Sequence, residues 1–153
     1  MDAGETSFIS SSYWTDGIGT AAALATLEKV DQLNITDRIW HKGETFQASL
    51  QDIAAGHPAC QLNISGMPAT PTLSFELDEN SLAVKTLYIR KMLDRGFLTS
   101  TSLYLMHAHK EKHLNKFLDS FDRVLDEMEQ IITSGRLQEE SNSRNQSGFA
   151  RLT

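Results

Sequence analysis

Two periods of apolar positions, one helical and one strand-like, divide the chain into elements. Apolar residues recur at three- and four-residue spacing over residues 20–34 and again over residues 39–53, which predicts two amphipathic helices. Gly56 is expected to end the second helix, and Gly43 lies in its middle. A glycine inside a helix costs about 1 kcal/mol relative to alanine. Gly43 therefore indicates close approach to a neighbour or a local bend.

A two-residue period follows and predicts a pair of strands. Its apolar members are Cys60, Leu62 and Ile64 in the first strand and Leu73, Phe75 and Leu77 in the second. The stretch Ser65-Gly66-Met67-Pro68 has turn composition. We therefore expect an antiparallel hairpin with a long connection.

The second half of the chain predicts two more helices with extended segments between them. Asn80 or Ser81 is expected to cap the first of these helices and Gly96 to end it. One or two short strands are expected at residues 97–98 and 103–106. The last helix, which Gly135 is expected to end, has the clearest amphipathic pattern. Its apolar residues are Leu114, Phe117, Leu118, Phe121, Leu125, Met128 and Ile132.

The order helix, helix, strand, strand, helix, strand, helix is typical of an α+β fold, with a small, mostly antiparallel sheet covered by helices. Residues 1–19, rich in Ser, Thr, Gly and aromatics, are expected to form an extended arm or loop. Residues 20–135 are expected to form the α+β domain, and residues 136–153 a polar tail.

Composition narrows the possible partners and compartments. The 153 residues carry a formal net charge of −6, so nucleic acid is not expected to bind. No apolar run approaches the roughly 18 residues of a membrane helix, and the first residues do not form a signal peptide. The single cysteine, Cys60, favours a core thiol in a reducing compartment over a catalytic nucleophile. We therefore expect a soluble cytoplasmic protein that does not contact membranes.

Motifs for independent catalysis are weak. Neither GxxxxGK[ST] nor GxGxxG occurs. The hydroxyls before the first helix suit an anion such as phosphate, but a polar loop before a capped helix is the simpler interpretation. His107, His109 and His113 have spacing that suits a metal, although solvated or structural imidazoles are the simpler interpretation. All seven lysines lie among polar residues, whereas a Schiff-base lysine needs a desolvated pocket.

Two long stretches resemble one enzyme family. FISSSYWTDGIGTAAALATLEKVDQL, at residues 8–33, resembles the segment after the cofactor lysine in class III aminotransferases, especially those related to glutamate-1-semialdehyde aminomutase. RKMLDRGFLTSTSLYLMHAHKEKHLNKFLDSFDRVLDEM, at residues 90–128, resembles the C-terminal small domain of the same enzymes. The resemblance spans most of residues 8–132.

The resemblance implies a dimeric fold-type I enzyme with pyridoxal 5′-phosphate as cofactor and a small amino or oxo compound as substrate. Ser11 and Ser12 take the place of a Gly-Thr pair that contacts the phosphate of the partner subunit's cofactor. The resemblance therefore assigns cofactor binding to these two residues, and phosphate contact in particular to Ser12. It also implies that residues 99–104 line the substrate entrance and that His109 has a capping role.

The same resemblance implies that this chain is not catalytic alone, because nothing in it corresponds to the large domain with the Schiff-base lysine. We expect a fragment or the product of a truncated gene, partnered by a large cofactor-binding domain or a second copy. The loop at residues 96–109 is shorter than in the aminomutase and lacks its Phe-Glu pair, so aminomutase (isomerase) and transaminase activity both stay open. The alternative is a non-catalytic module that self-associates through the arm residues Phe8, Ile9, Tyr13 and Trp14.

Overall fold

The structure is a computed structural model that describes residues 16–140. The chain divides into two compact units, Met1–Asp37 and Arg38–Thr153. The predicted arm residues at 8–14, Ser11 and Ser12 among them, lie outside the described residues, as do residues 141–153 of the predicted tail.

Helix α1, Gly17–Gln32, is the described helix of the first unit. It begins three residues earlier than the periodicity predicts, because the Asp16 carboxylate accepts a hydrogen bond from the Ile18 backbone N–H at 3.1 Å and caps the helix. None of its residues is buried, and Ile18, Leu24 and Leu27 are exposed apolar side chains. Leu24 and Leu27, which belong to the predicted apolar stripe, are therefore exposed in the described residues and not packed in a core.

Helix α2, Ile35–Gly56, confirms the second predicted helix and places Phe46 and Leu50 in the core. Gly43 confirms the expected close approach, because a Cβ atom built there would lie 2.1 Å from the Pro68 carbonyl oxygen. Any larger residue at position 43 would push α2 away from the segment that contains Pro68.

Strands β1, Leu62–Met67, and β2, Thr70–Phe75, form the expected antiparallel hairpin, with Ile64 opposite Leu73. The predicted long connection is wrong, since the turn contains only Pro68 and Ala69. Turn composition at residues 65–67 misled the prediction. Gly66, at φ +87°, stays within β1, paired with Pro71. Cys60 precedes the hairpin in the 3₁₀ turn Pro58–Cys60, not in a strand.

Residues 101–105 run beside β2 without forming a regular strand. The backbone N–H groups of Leu103 and Leu105 donate to the carbonyls of Pro71 and Ala69 at 2.9 and 3.0 Å, and the Leu73 N–H donates to the Thr101 carbonyl at 2.8 Å. These bonds extend the hairpin edge where a short strand was expected. No strand forms at residues 97–98.

Helices α3, Ser81–Asp94, α4, Glu111–Thr133, and α5, Leu137–Glu140, complete the described fold. Leu137 is buried, so the first residues of the predicted polar tail pack on the domain. The fully buried side chains of the second unit include Leu50, Cys60, Val84, Leu87, Tyr88, Met92, Phe121, Val124, Leu125 and Met128. The α+β class predicted from the element order is confirmed. No helix within residues 16–140 is long and apolar enough to cross a membrane.

Candidate functional site

A cleft of about 530 Å³ lies in the second unit, where the segment 97–106 meets α2 and the first turns of α4. We call it the α4 cleft. Its volume falls within the roughly 300–1,000 Å³ of small-molecule sites. The lining residues are Phe46, Phe97, Leu98, Thr99, Ser100, Ser102, Leu103, Tyr104, Leu105, Met106, His109, His113, Leu114 and Phe117.

The extended backbone at residues 101–105 decides which side chains face inwards. Leu103 and Leu105 are buried, whereas Tyr104 and Met106 between and after them are exposed. This alternation follows from the two-residue period of an extended chain. The bend before it is fixed by the Ser100 hydroxyl, which donates to the Ser102 carbonyl at 2.9 Å.

The residues predicted to line a substrate entrance, 99–104, do line this cleft, except for Thr101. Thr101 instead borders a smaller hollow beside β2 that also includes Lys85. Thr101 is also the residue whose carbonyl accepts the hydrogen bond from the Leu73 N–H of β2. That the cleft receives a substrate stays a prediction.

The two imidazoles of the cleft close backbone turns. His109 Nδ1 accepts a hydrogen bond from the Met106 N–H at 3.2 Å, which agrees with the capping role expected for His109. His113 Nδ1 accepts from the Lys110 N–H, also at 3.2 Å. A ring nitrogen that accepts carries no proton, so the Nε2 atom of each ring is left as a hydrogen-bond donor.

The histidine arrangement does not form a ligand set for a metal. His107 is exposed and does not line the cleft, and the nitrogens that cap turns at His109 and His113 are already engaged. Nowhere in residues 16–140 do three metal-binding side chains converge on one point.

Positive groups flank the cleft, and no carboxylate is among its lining residues. Lys42 Nζ donates to the His109 carbonyl at 2.6 Å. Lys116 Nζ lies 6.0 Å from the centre of the Phe97 ring, in cation–π range. Two ammonium groups therefore contact lining residues, one through a hydrogen bond to His109 and one through a cation–π contact with Phe97.

A second polar cluster joins α4 to the turn after α2. His57 Nε2 lies 3.0 Å from Asp122 Oδ1, and His57 Nδ1 lies 3.3 Å from Glu129 Oε2. The other Glu129 oxygen accepts from the Ala59 N–H at 3.0 Å. Burial lowers the pKa of His57, but the hydrogen bonds and charges of the two carboxylates outweigh burial and raise the pKa above its ordinary 6.5.

Sequence reasoning did not single out His57 and missed this cluster. Asp122 and Glu129 are two helical turns apart on one face of α4, which was the available signal. Their partner, however, lies 65 residues from Asp122 and 72 from Glu129 in the sequence. The cluster fastens the 3₁₀ turn to α4, which makes it a structural feature.

Two buried reactive groups are held in their neutral forms. Burial, with the charge of Glu129 adding to it, raises the pKa of the Cys60 thiol to about 12, and its Sγ lies 3.6 Å from the Leu125 carbonyl. This supports the expectation of a core thiol. Burial also raises the pKa of Tyr88, and the nearby Thr99 opposes that shift. The Tyr88 hydroxyl makes no hydrogen bond of normal geometry within the described residues.

The lysines agree with the sequence expectation. None of the seven is buried, and none lines the α4 cleft. A Schiff-base lysine usually lies in a desolvated pocket. The described residues therefore do not offer the pocket that an aldimine-forming lysine requires.

Comparison with known proteins places this fold. No protein-family model matches the chain. The chain is 24% identical over 131 residues to 3-aminobutyryl-CoA aminotransferase of Cloacimonas acidaminovorans (strain Evry). The aligned region covers 82% of this chain and 31% of that enzyme. It also matches the structure of the FumI protein of Sphingopyxis sp. MTA144 in its pyridoxal-phosphate internal aldimine form. That match has a TM-score of 0.73 and 21% identity, over 87% of this chain and 32% of FumI.

The α+β unit thus has the fold of a segment of FumI, a protein whose structure was solved with pyridoxal phosphate. More particularly, the comparisons confirm the resemblance of the chain to the C-terminal segment of a class III aminotransferase. The chain spans about a third of the length of the relatives that it matches.

Proposed function

We propose that this chain is the C-terminal part of a pyridoxal-phosphate-dependent aminotransferase or aminomutase. The observation that carries the proposal is the fold match over 87% of the chain, supported by the sequence match to an aminotransferase. In this role the chain contributes to the dimer interface and to one wall of the substrate pocket, and it does not catalyse the reaction alone.

The cofactor would be held mainly by another part of the enzyme. Pyridoxal phosphate supplies the electron sink of such reactions, while the protein orients it. The seven exposed or half-exposed lysines do not fit the cofactor's aldimine, so we assign that lysine to a separate domain or chain. The residues proposed to touch the cofactor are Ser11 and Ser12, through the phosphate of the partner subunit.

The α4 cleft is the part of the substrate pocket that we assign to this chain. Its apolar wall, Leu103, Leu105 and Leu114, would exclude water from the unreactive end of a small amino or oxo compound. The hydroxyls of Thr99 and Ser100 at the rim would orient it. The relative from Cloacimonas acts, by its name, on a 3-aminobutyryl thioester of coenzyme A. Transfer and internal migration of the amino group both suit this wall.

Exposed apolar surface supports an assembly with more protein. In the first unit α1 exposes Ile18, Leu24 and Leu27, and in the second unit Leu98 is 92% exposed. Contiguous apolar surface on a folded protein marks an interaction site. We assign α1 to the contact with a second subunit and the segment around Leu98 to the contact with the cofactor domain. The single buried thiol suits the cytoplasm.

The test is to recover the protein from its source with an antibody against residues 20–135 and to treat it with borohydride, which fixes pyridoxal phosphate on its lysine. We expect mass spectrometry to find the cofactor on a peptide outside this 153-residue sequence, in the same chain or a co-purified one. Purified 153-residue chain mixed with pyridoxal phosphate should give no adduct at one specific lysine. A stable, reducible adduct at a single lysine of this chain would overturn the proposal.

The exposed face of α1 also favours a second candidate, a non-catalytic module that self-associates through α1 and the arm before it. Size-exclusion chromatography with light scattering separates the two functions. A monomer with a protease-sensitive arm supports the enzyme segment. A tight dimer that protects the arm and carries no pyridoxal phosphate when isolated from its source supports the module.

A further inference from the structure

The α4 cleft combines an apolar interior with a rim of one charge sign. Its lining contains no Asp or Glu, although the chain has 20 acidic residues against 14 basic ones. The lining offers hydroxyls and two imidazoles, and it contains no Lys or Arg. The ammonium groups of Lys42 and Lys116 lie just outside it, the first bonded to the His109 carbonyl and the second beside the Phe97 ring. This is the donor set of a site that receives a negative charge beside an apolar group.

The charges of α4 point the same way. Residues 107–118 contain three lysines and three histidines with one acidic residue, Glu111, whereas residues 119–129 contain five acidic residues with one arginine. The partial positive charge of a helix N-terminus is normally offset by acidic side chains. The first turn of α4 has one acidic residue, Glu111, but the other ionisable residues at 107–118 are lysines and histidines, so basic side chains predominate at that end.

The lysines at this end also lack the ion pairs found elsewhere on the helix. Among residues 16–140, no salt bridge involves Lys110, Lys112 or Lys116. By contrast Glu127, in the acidic half, is paired with both Lys91 and Arg95. The positive potential at the cleft is therefore not neutralised by the described protein.

We propose that the α4 cleft binds an amphiphile made of a linear apolar chain and one anionic head group, with the chain against Leu103, Leu105 and Phe117 and the head group beside Lys116 and Lys42. This inference rests on the proposed function where it names a substrate class, which is then an amino or oxo acid with an aliphatic tail. The binding itself requires only this chain.

The first measurement titrates the purified 153-residue chain with octanoate by calorimetry and by amide NMR shifts of residues 97–117. Each buried methylene contributes about a fourfold gain in affinity. Octanoate should therefore bind at least tenfold more tightly than butanoate, and octyl phosphate should bind like octanoate. Octylamine, with the same tail and the opposite charge, should bind at least tenfold more weakly. Equal binding of octanoate and octylamine would show apolar adsorption and overturn the proposal.

The second measurement compares two lysines, Lys112 and Lys116, which lie four residues apart in the first half of α4. Lys116→Gln removes the ammonium beside Phe97 and should weaken octanoate binding severalfold, leaving octylamine no weaker than before. Lys112→Gln removes the same charge from a side chain that, unlike Lys116, has no cation–π contact with a lining residue, and should weaken octanoate binding by less than twofold. Both side chains are exposed, so both variants should fold. Identical octanoate affinities in the two variants would contradict the head-group assignment.

A third variant tests the cavity itself. Leu114→Trp should fill the cleft and abolish saturable octanoate binding, and unchanged binding would place the ligand elsewhere. Light scattering should show that octanoate leaves the mass of the chain unchanged. A dimer that octanoate dissociates would show that the cleft receives a second copy, against the proposal. Failure here leaves the borohydride experiment unaffected, so the two proposals can fail separately.

Discussion

The two halves of α4 differ in what their side chains do. In the second half, Val124, Leu125 and Met128 are fully buried and the acidic residues on the flanks have partners. Hydrogen bonds from Lys91 and Arg95, the Lys91 bond most strongly, lower the pKa of Glu127 despite its partial burial. In the first half, Leu114 and Phe117 are only partly buried, His113 lines the cleft, and the lysines are exposed and lie outside the cleft lining.

This difference separates stability from function along one helix. The acidic half is locally consistent, since its apolar residues pack in the core and three of its five carboxylates, Asp122, Glu127 and Glu129, are ion-paired. The basic half has one acidic residue, Glu111, in its first turn, and its lysines and histidines otherwise run against the preference of helix N-termini for acidic side chains. Positions where a sequence breaks a local rule without a structural gain are expected at functional sites. The predictions below test this division, beginning with the largest effect.

The largest contrast is expected between two leucines on the same helix. Leu125→Ala should lower the free energy of unfolding by about 3 kcal/mol, because truncation of a fully buried leucine leaves a cavity. Leu114→Ala, at the partly buried cleft wall, should cost about 1 kcal/mol, since water can fill the space. Urea denaturation of both variants measures this. Equal losses would show that the cleft half is as tightly packed as the core half.

Removal of the charge that fastens the turn before β1 should give the next largest effect. Glu129→Gln weakens the bonds to His57 and to the Ala59 N–H, and should cost about 2 kcal/mol. Asp126→Asn is the matched control, because Asp126 is exposed and accepts only a 3.4 Å bond from Gln130. The control should stay within about 0.5 kcal/mol of the original chain in thermal unfolding. A control as damaging as Glu129→Gln would remove the special role of the cluster.

The same cluster predicts a pH dependence. Because the folded-state pKa of His57 is raised above 6.5, its protonation stabilises the fold fully below about pH 6.5, and this contribution is lost as the pH rises through the folded pKa. The stability difference between the original chain and His57→Gln should therefore be largest at acidic pH and shrink at alkaline pH. Urea midpoints between pH 5.5 and 9 measure it. Asp122→Asn should flatten the curve, and a difference that grows with pH would contradict the assignment.

The smallest effect concerns the basic half. Lys112→Glu places a second acidic residue, beside Glu111, in the first turn of α4 and creates a Glu-to-Lys pair with Lys116 four residues on. It should raise stability by about 0.5 kcal/mol in the absence of ligand, and by less in high salt. The reverse outcome is expected for Arg123→Glu in the acidic half, which should lower stability by about as much. If Lys112→Glu destabilised the fold, the lysines of the first half of α4 would be needed for stability, and their position would not indicate a binding site.

Whether a feature of the fold could be predicted from the sequence depends on how far apart in the chain its interacting residues lie. The helices, the hairpin pairing and the role of Gly43 as a point of close approach follow from local spacing and residue type. The position of the hairpin turn could not be predicted in this way. Gly66 is a residue type common in turns, but it lies inside β1 with a φ of +87°. Residues 101–105 showed only a short apolar alternation in the sequence. Only the structure shows that this segment is hydrogen-bonded along the edge of the hairpin.

The candidate site divides similarly. The sequence drew attention to residues 99–104 and to His109 and His113 by their types and order. It did not reveal that Lys42 from α2 reaches the His109 carbonyl, 67 residues away, or that Phe46 closes the cleft. Ser11 and Ser12, assigned by resemblance, stay a prediction.

By itself, then, the sequence determined the α+β class, the element types, the buried face of α4 and the resemblance to an aminotransferase segment. These are properties of spacing and order, which a chain carries before it folds. Only the tertiary structure decided that α4 is anchored through His57 at one half and left basic beside a cleft at the other. Each of those features joins residues far apart in sequence, and packing, not local periodicity, brings such residues together.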